Sequence, residues 1–215
     1  QEGRVLLAWS AAGGRVPVEG HLRALEQASQ QADFAFDAQR DVLGRVSLSS
    51  LEQRLRSSRE PVSVLHVLCH GSAVESSASR LYGLAWNAPR EGDGVEVVDG
   101  GRLAAVLAPY AGTLRMVVLC ACHGGDGGKL ASHLGSVAQA LHRVGIEAVV
   151  ASRLPLSVEG SVQLAETLYE QLRNCAPWRL ATAYQVWRQG RQAPPRPLAG
   201  PIALFGLEGV NQATK

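Results

Sequence analysis

Two short strings hold most of the side chains that could do chemistry. "VLHVLCHG" (64–71) closes an apolar run with Cys69, His70 and Gly71, and "VVLCACHGGDGG" (117–128) closes another with Cys120, Cys122, His123 and a glycine-rich tail. Three chemistries use such residues: a cysteine nucleophile with an imidazole base, a cysteine–histidine metal centre, and a dithiol redox pair. A thiol with its ordinary pKa of ~8.5 is only a few per cent ionised at neutral pH. A nucleophilic cysteine therefore gains from an adjacent imidazole, which can later protonate a leaving amine.

If both runs are strands, neighbouring residues point to opposite faces, so Cys69 cannot readily pair with His70, nor Cys122 with His123. A useful pair has to form between strands, which lie ~4.8 Å apart. His70 is the last residue before Gly71, and Cys122 the last before "HGGDGG", so both stand at the rim. Cys69 and Cys120 lie deeper among Leu and Ala, where a thiol acts as a small hydrophobe. The expected pair is His70 with Cys122. The glycines beside each allow close backbone approach, and the N–H groups of Gly71 and Cys122 could face a developing oxyanion.

The competing readings are specific. His123 is the other candidate base. A zinc set of His70, Cys120, Cys122 and His123 is the chemical rival, but C-x-C puts both thiols on one strand face and no second ligand pair follows at the usual spacing. No CxxC occurs, and "GGDGG" lacks the lysine and Ser/Thr of a phosphate loop. No metal and no cofactor is expected. His21, His66, His133, His142 and Cys175 read as structural or surface residues.

The elements that must position the pair alternate between two periods. "RVLLAWS" (4–10), "FAFDAQRDV", "PVSVLHVLCH", "TLRMVVLCAC", "EAVVASR" and "IALFGL" read as strands, several apolar at nearly every position, as in a parallel sheet covered on both faces. Between them, "VEGHLRALEQASQQA", "SLSSLEQRLRS" and "GRLAAVLAPY" carry helical periodicity. So do the stretch from Leu130 to Val144, stopped by Gly145, and one capped by Ser157; Leu180, Tyr184 and Trp187 mark another. Residues 80–99 read as a surface β-hairpin with a long polar tip. The predicted architecture is an α/β sandwich with a mostly parallel sheet of about six strands. Ligand sites in such sheets lie beyond the carboxyl ends of the strands, where both strings fall.

Length and composition fit one domain over 1–215. The net charge of +2 gives no electrostatic reason to expect nucleic acid or an anionic membrane, and no apolar run is long enough to span a bilayer. The four cysteines are expected to be reduced thiols, which places the protein in the cytoplasm. The chain starts almost directly on a strand and lacks an initiating Met, so it is expected to be cut from a longer polypeptide.

At these residues the chain resembles the CHAT peptidase domains, a prokaryotic branch of the caspase-like (clan CD) cysteine peptidases. The marks are an apolar strand ending in His-Gly, "HVLCHG", and a later one ending in Ala-Cys, "VVLCACHGG". "LLAWS", "SVAQALHRVGIEAVVASRLPLS" and "IALFGL" match as well, so the likeness spans about 4–207. It implies a caspase-like α/β/α fold and hydrolysis of a protein substrate by a His70–Cys122 dyad, with Gly71 at an oxyanion-hole position. The blend of "LLAWS", "LCHG" and "ASRLPLS" is closest to CHAT domains fused to SAVED-type cyclic-oligonucleotide sensors in antiviral defence. That implies activation by a sensor outside this chain, with oligomerisation, and movable parts at 80–99 and after Cys122. The alternative is a catalytically silent scaffold that only binds partners. The resemblance further implies a pocket beside the cysteine that selects the residue before the scissile bond. Asp126 and Glu159 as acids against Arg153 as base favour cleavage after Arg or Lys, with Asp126 the first candidate for its floor.

Overall fold

The computed structural model describes residues 3–30, 34–75, 80–90, 94–122, 137–152, 156–173 and 202–206. In chain order its elements are β1 (Gly3–Trp9), α1 (Val18–Ser29), β2 (Phe34–Ala35), β3 (Val42–Leu43), α2 (Leu48–Ser57), β4 (Val64–Glu75), β5 (Arg80–Asn87), β6 (Val95–Val98), α3 (Gly100–Leu107), β7 (Met116–Cys122), α4 (137–143), β8 (Ala148–Ser152), α5 (Val158–Arg173) and β9 (Ile202–Gly206). Strands β1, β4, β7 and β8 are the apolar runs, and they lie side by side in parallel because helices connect them. β9 closes the sheet antiparallel to β8.

Alternation along each strand sends successive side chains into two layers. Leu6, Leu65, Val67, Val117, Leu119 and Val149 pack with Leu51, Leu103, Leu107 and Leu141 from α2, α3 and α4. Val5, Leu7, Val64, Leu68, Val118 and Val150 pack with Leu25, Leu164, Leu168 and Tyr169 from α1 and α5. Cys69 belongs to the first layer and Cys120 to the second, both fully buried thiols on opposite sides of the sheet. They cannot be joined to each other, as the expectation of reduced cysteines requires.

The expected fold class holds, but the sheet has nine strands among the described residues, not about six. Two local causes account for the difference. The stretch read as one second strand is broken by a turn in which the Asp37 carboxylate accepts the Gln39 and Arg40 N–H groups, leaving β2 and β3 as separate pieces along β1. The hairpin β5–β6 does not stand apart on the surface; β5 joins the sheet antiparallel to the far half of β4.

Several helix ends behave as their sequences predict. The Ser157 hydroxyl accepts the Gly160 N–H at 3.0 Å to cap α5. After α4, the N–H groups of Gly145 and Ile146 return to the carbonyls of His142 and Leu141, the pattern of a glycine-terminated helix. Leu130, Leu134 and the helix marked by Leu180, Tyr184 and Trp187 lie outside the described residues. Among the described residues no helix is long and apolar enough to cross a membrane.

One polar chain runs through the α1–α5 layer. The Ser161 hydroxyl donates to the Val158 carbonyl at 2.8 Å, so its oxygen accepts from His21 Nε2 at 3.3 Å. His21 Nδ1 then accepts from His66 Nε2 at 2.9 Å, and His66 Nδ1 accepts from the Tyr169 hydroxyl at 2.8 Å. A single set of neutral tautomers satisfies every ring nitrogen. Cys120 lies beside this chain, its thiol within 4.8 Å of a nitrogen on each ring. A metal bound there would have to break the His21–His66 hydrogen bond. The cluster is thus a hydrogen-bonded strut tying β4 to α1 and α5, giving His21 and His66 partners that sequence alone could not identify.

Burial lowers the His21 pKa from 6.5 to about 4, and burial first, then its neighbour His21, holds His66 well below the imidazole value. The unfolded chain takes up these protons first as pH falls, so their contribution is complete above pH ~6.5 and is lost below it, for His21 down to about pH 4. Each imidazole should cost up to about 1.4 kcal/mol of stability per pH unit across that window. Urea denaturation at pH 7 and pH 5 reads this directly. A His21→Met/His66→Met double variant should lose most of the slope, and an unchanged slope would refute the assignment.

Candidate active site

Strand β4 was expected to end at His70–Gly71, but it continues to Glu75. The reason is a change of neighbours. β1 pairs with β4 as far as Trp9 opposite Leu68, and β5 takes up β4 from Ala85 opposite His70. His70 is therefore the first residue of the antiparallel ladder with β5. It is also the last of the parallel ladder with β7, where its register partner is Cys122. The two candidate residues share the final rung of adjacent strands. Gly71 is buried inside β4, opposite Leu84, rather than in a loop.

His70 is only 8% exposed. Its Nε2 lies 3.1 Å from the Arg15 carbonyl oxygen, which can only accept, so in the neutral ring Nε2 carries the proton. Nδ1 is left with the lone pair, and it is buried without a hydrogen-bond partner among the described residues. A buried imidazole nitrogen in that state is a proton acceptor in need of a donor.

The loop after β1 builds this contact. Gly14 N–H closes a turn onto the Ala11 carbonyl at 3.0 Å, with Gly13 at φ +88° in the third place, where such a turn takes glycine. Gly14 follows at φ +144°, and a Cβ added there would sit 3.1 Å from His70 Nε2. Gly14 and the Arg15 carbonyl were missed by sequence reasoning. The turn itself was visible in "AAGG", but the approach of its backbone to a histidine 55 positions away was not.

The remaining candidates fall as follows. Glu159 is exposed in the first turn of α5, where a carboxylate also complements the helix dipole. Asp126, His123, Arg153, His133 and Cys175 lie outside the described residues. His142 donates from Nδ1 to the Ile146 carbonyl at 2.8 Å, in keeping with a structural role.

A mostly parallel α/β/α sheet presenting histidine and cysteine on one terminal rung has the architecture of the caspase-like cysteine peptidases. Residues 9–197 match the CHAT domain, and the chain belongs to the CHAT domain family. The fold is similar to that of a secreted C11 cysteine protease from Bacteroides thetaiotaomicron, solved in complex with an irreversible peptide inhibitor. The two share 10% identity with a TM-score of 0.53, over 99% of this chain and 68% of that one, a likeness of fold. No curated protein matches the sequence. Family and fold together make the domain a caspase-like cysteine peptidase.

Because Gly14 has neither room for a side chain nor a backbone conformation that favours one, Gly14→Ala should displace the imidazole or the turn beneath it. The ring or the turn would have to give by a few tenths of an ångström, and a misplacement of about 1 Å in a reacting constellation costs on the order of 100-fold. If His70 takes part in the reaction, peptide cleavage should therefore fall by about 10-fold while far-UV circular dichroism stays at parent values. Full activity in the variant would contradict this account of the ring's seat.

Proposed function

We propose that the domain is an endopeptidase in which Cys122 is the nucleophile and His70 the general base. The observation that carries the reading is the state of His70 on the rung it shares with Cys122: Nε2 held by the Arg15 carbonyl, Nδ1 buried and open. Nδ1 takes the thiol proton, and the thiolate attacks the scissile carbonyl to form a tetrahedral oxyanion. The N–H groups of Gly71 and Cys122 are the assigned oxyanion donors. The imidazolium, whose Nε2–H bond to Arg15 strengthens as charge develops, then protonates the leaving amine. Water hydrolyses the thioester with the same imidazole as base.

Three further parts of the reading rest on the family resemblance and the sequence. Cleavage is after Arg or Lys, with Asp126 as the first candidate for the pocket floor and Glu159 as the second. Activity is switched on by a fused or associated sensor in antiviral defence, through ligand-driven assembly that orders the loops at the rim. The buried thiols Cys69 and Cys120 support a reducing, cytoplasmic setting.

Cys122→Ala and His70→Ala should each abolish cleavage with the fold intact. Cys69→Ala and Cys120→Ala should retain it, at a cost of about 1 kcal/mol in packing. Loss of turnover in a well-folded Cys120→Ala variant would sink the assignment, and slow, uniform labelling of all four thiols by a covalent protease probe would favour the silent scaffold. Sequencing the cuts made in a peptide library tests the pocket. Cleavage after Asp rejects an acidic floor, and an unchanged Arg preference in Asp126→Ala moves that role to Glu159.

A further inference from the structure

We infer that Ser10 and Asn87 are positioning residues for His70, and that through them the end of the β5–β6 hairpin sets the proton arrangement of the imidazole. The inference rests on His70 being the base. Ser10 is fully buried, one residue beyond β1. Its N–H donates to the Leu68 carbonyl at 2.9 Å, fixing it to β4 two residues before His70. Its hydroxyl oxygen accepts the Ala12 N–H at 3.1 Å, and its proton goes to Asn87 Oδ1 at 3.0 Å. A hydroxyl with both roles taken has one orientation.

Each end of this link is anchored. Ala12 is the second residue of the turn closed by Gly14, and Arg15, whose carbonyl accepts from His70 Nε2, follows that turn directly. At the other end, Asn87 is the last residue of β5. Its N–H donates to the Val46 carbonyl at 3.0 Å, and the Val46 N–H donates to the Trp9 carbonyl at 2.9 Å. Two residues before Asn87, Ala85 is the register partner of His70. The hairpin thus meets the histidine by two routes: backbone pairing at Ala85, and side-chain bonds from Asn87 through Ser10 and the turn to the Arg15 carbonyl.

The chemical consequence follows from the tautomers of imidazole. A neutral ring has one proton for two nitrogens, and a fixed acceptor at Nε2 keeps that proton off Nδ1. If the carbonyl retreats, the proton is shared, and part of the population presents Nδ1–H, which cannot take a proton from a thiol. Ser10 and Asn87 touch neither thiol nor substrate. They act by holding the acceptor in place.

The test uses the 215-residue chain with 15N-labelled histidine, reading the tautomer of His70 from its long-range 1H–15N correlations, with His70→Ala to assign the signals. The parent should show Nε2–H alone. Asn87→Ala, at a half-buried site, and Ser10→Ala should both give a mixture, with kcat lower by ~10-fold, KM little changed and the pH profile of kcat displaced. Ser10→Thr, which keeps the hydroxyl, should restore the parent state. The double variant should be no worse than either single one, since one link is removed in each case. His142 should be unchanged throughout. A His70 that stays Nε2–H with parent shifts in both alanine variants overturns the inference. Persistent cleavage by Cys122→Ala would instead defeat the dyad assignment, and the tautomer measurement would still decide the role of Ser10 and Asn87.

Discussion

The parallel register of β4 against β7 begins at Val64 opposite Met116 and runs without interruption to His70 opposite Cys122, and the geometry of the rim depends on it. A slip of one residue would set His70 opposite Ala121 and invert the phase of every side chain in β4. Burial on both faces resists the slip only weakly, because Val, Leu and Cys could exchange layers at modest cost. His66 resists it strongly. In the observed register its two nitrogens meet Tyr169 and His21; in the opposite layer they would face Leu and Val with no partner. A polar residue in the middle of an apolar strand thus fixes the alignment that matters four residues further on.

A second polar anchor holds the other end of the sheet. Asp41 is fully buried and binds the Arg4 guanidinium at 2.5 Å and that of Arg40 at 2.9 Å, while its second oxygen also accepts the Asp37 N–H. Its own carbonyl accepts the Leu7 N–H, so the same residue lies against β1 by backbone and by side chain. With β1 held at its start by Arg4 and just past its end by Ser10, the loop leaving it has little freedom in where it begins. That constraint brings a backbone carbonyl, rather than a side chain, to the histidine. A carbonyl cannot titrate, so the third member of the arrangement is indifferent to pH.

Much of this was legible in the sequence because it is local. Continuous apolar runs marked β1, β4, β7 and β8, and 3.6-residue periodicity marked the helices that cover them. Depth along the apolar runs separated Cys69 and Cys120 from the rim. What could not be read depends on contacts distant in sequence. Nothing near Gly71 says that β4 will find a new partner and continue to Glu75, because that partner is a hairpin whose pairing is decided by tertiary fit. Nothing near Gly14 says that a histidine will lie against it. The polar strut was hidden for the same reason: His21, His66, Ser161 and Tyr169 come from three separate segments, each unremarkable alone.

The exchange of neighbours along one edge of β4 has an evolutionary side. β1 and β5 serve that edge in succession, with only Cys69 between their ladders, and both carry core residues, Leu6 from β1 and Leu84 and Trp86 from β5. Changes of length between β5 and β6 would leave every rung between β4 and β7 in place. Such a division lets the connection between β5 and β6 vary in length on an unchanged frame.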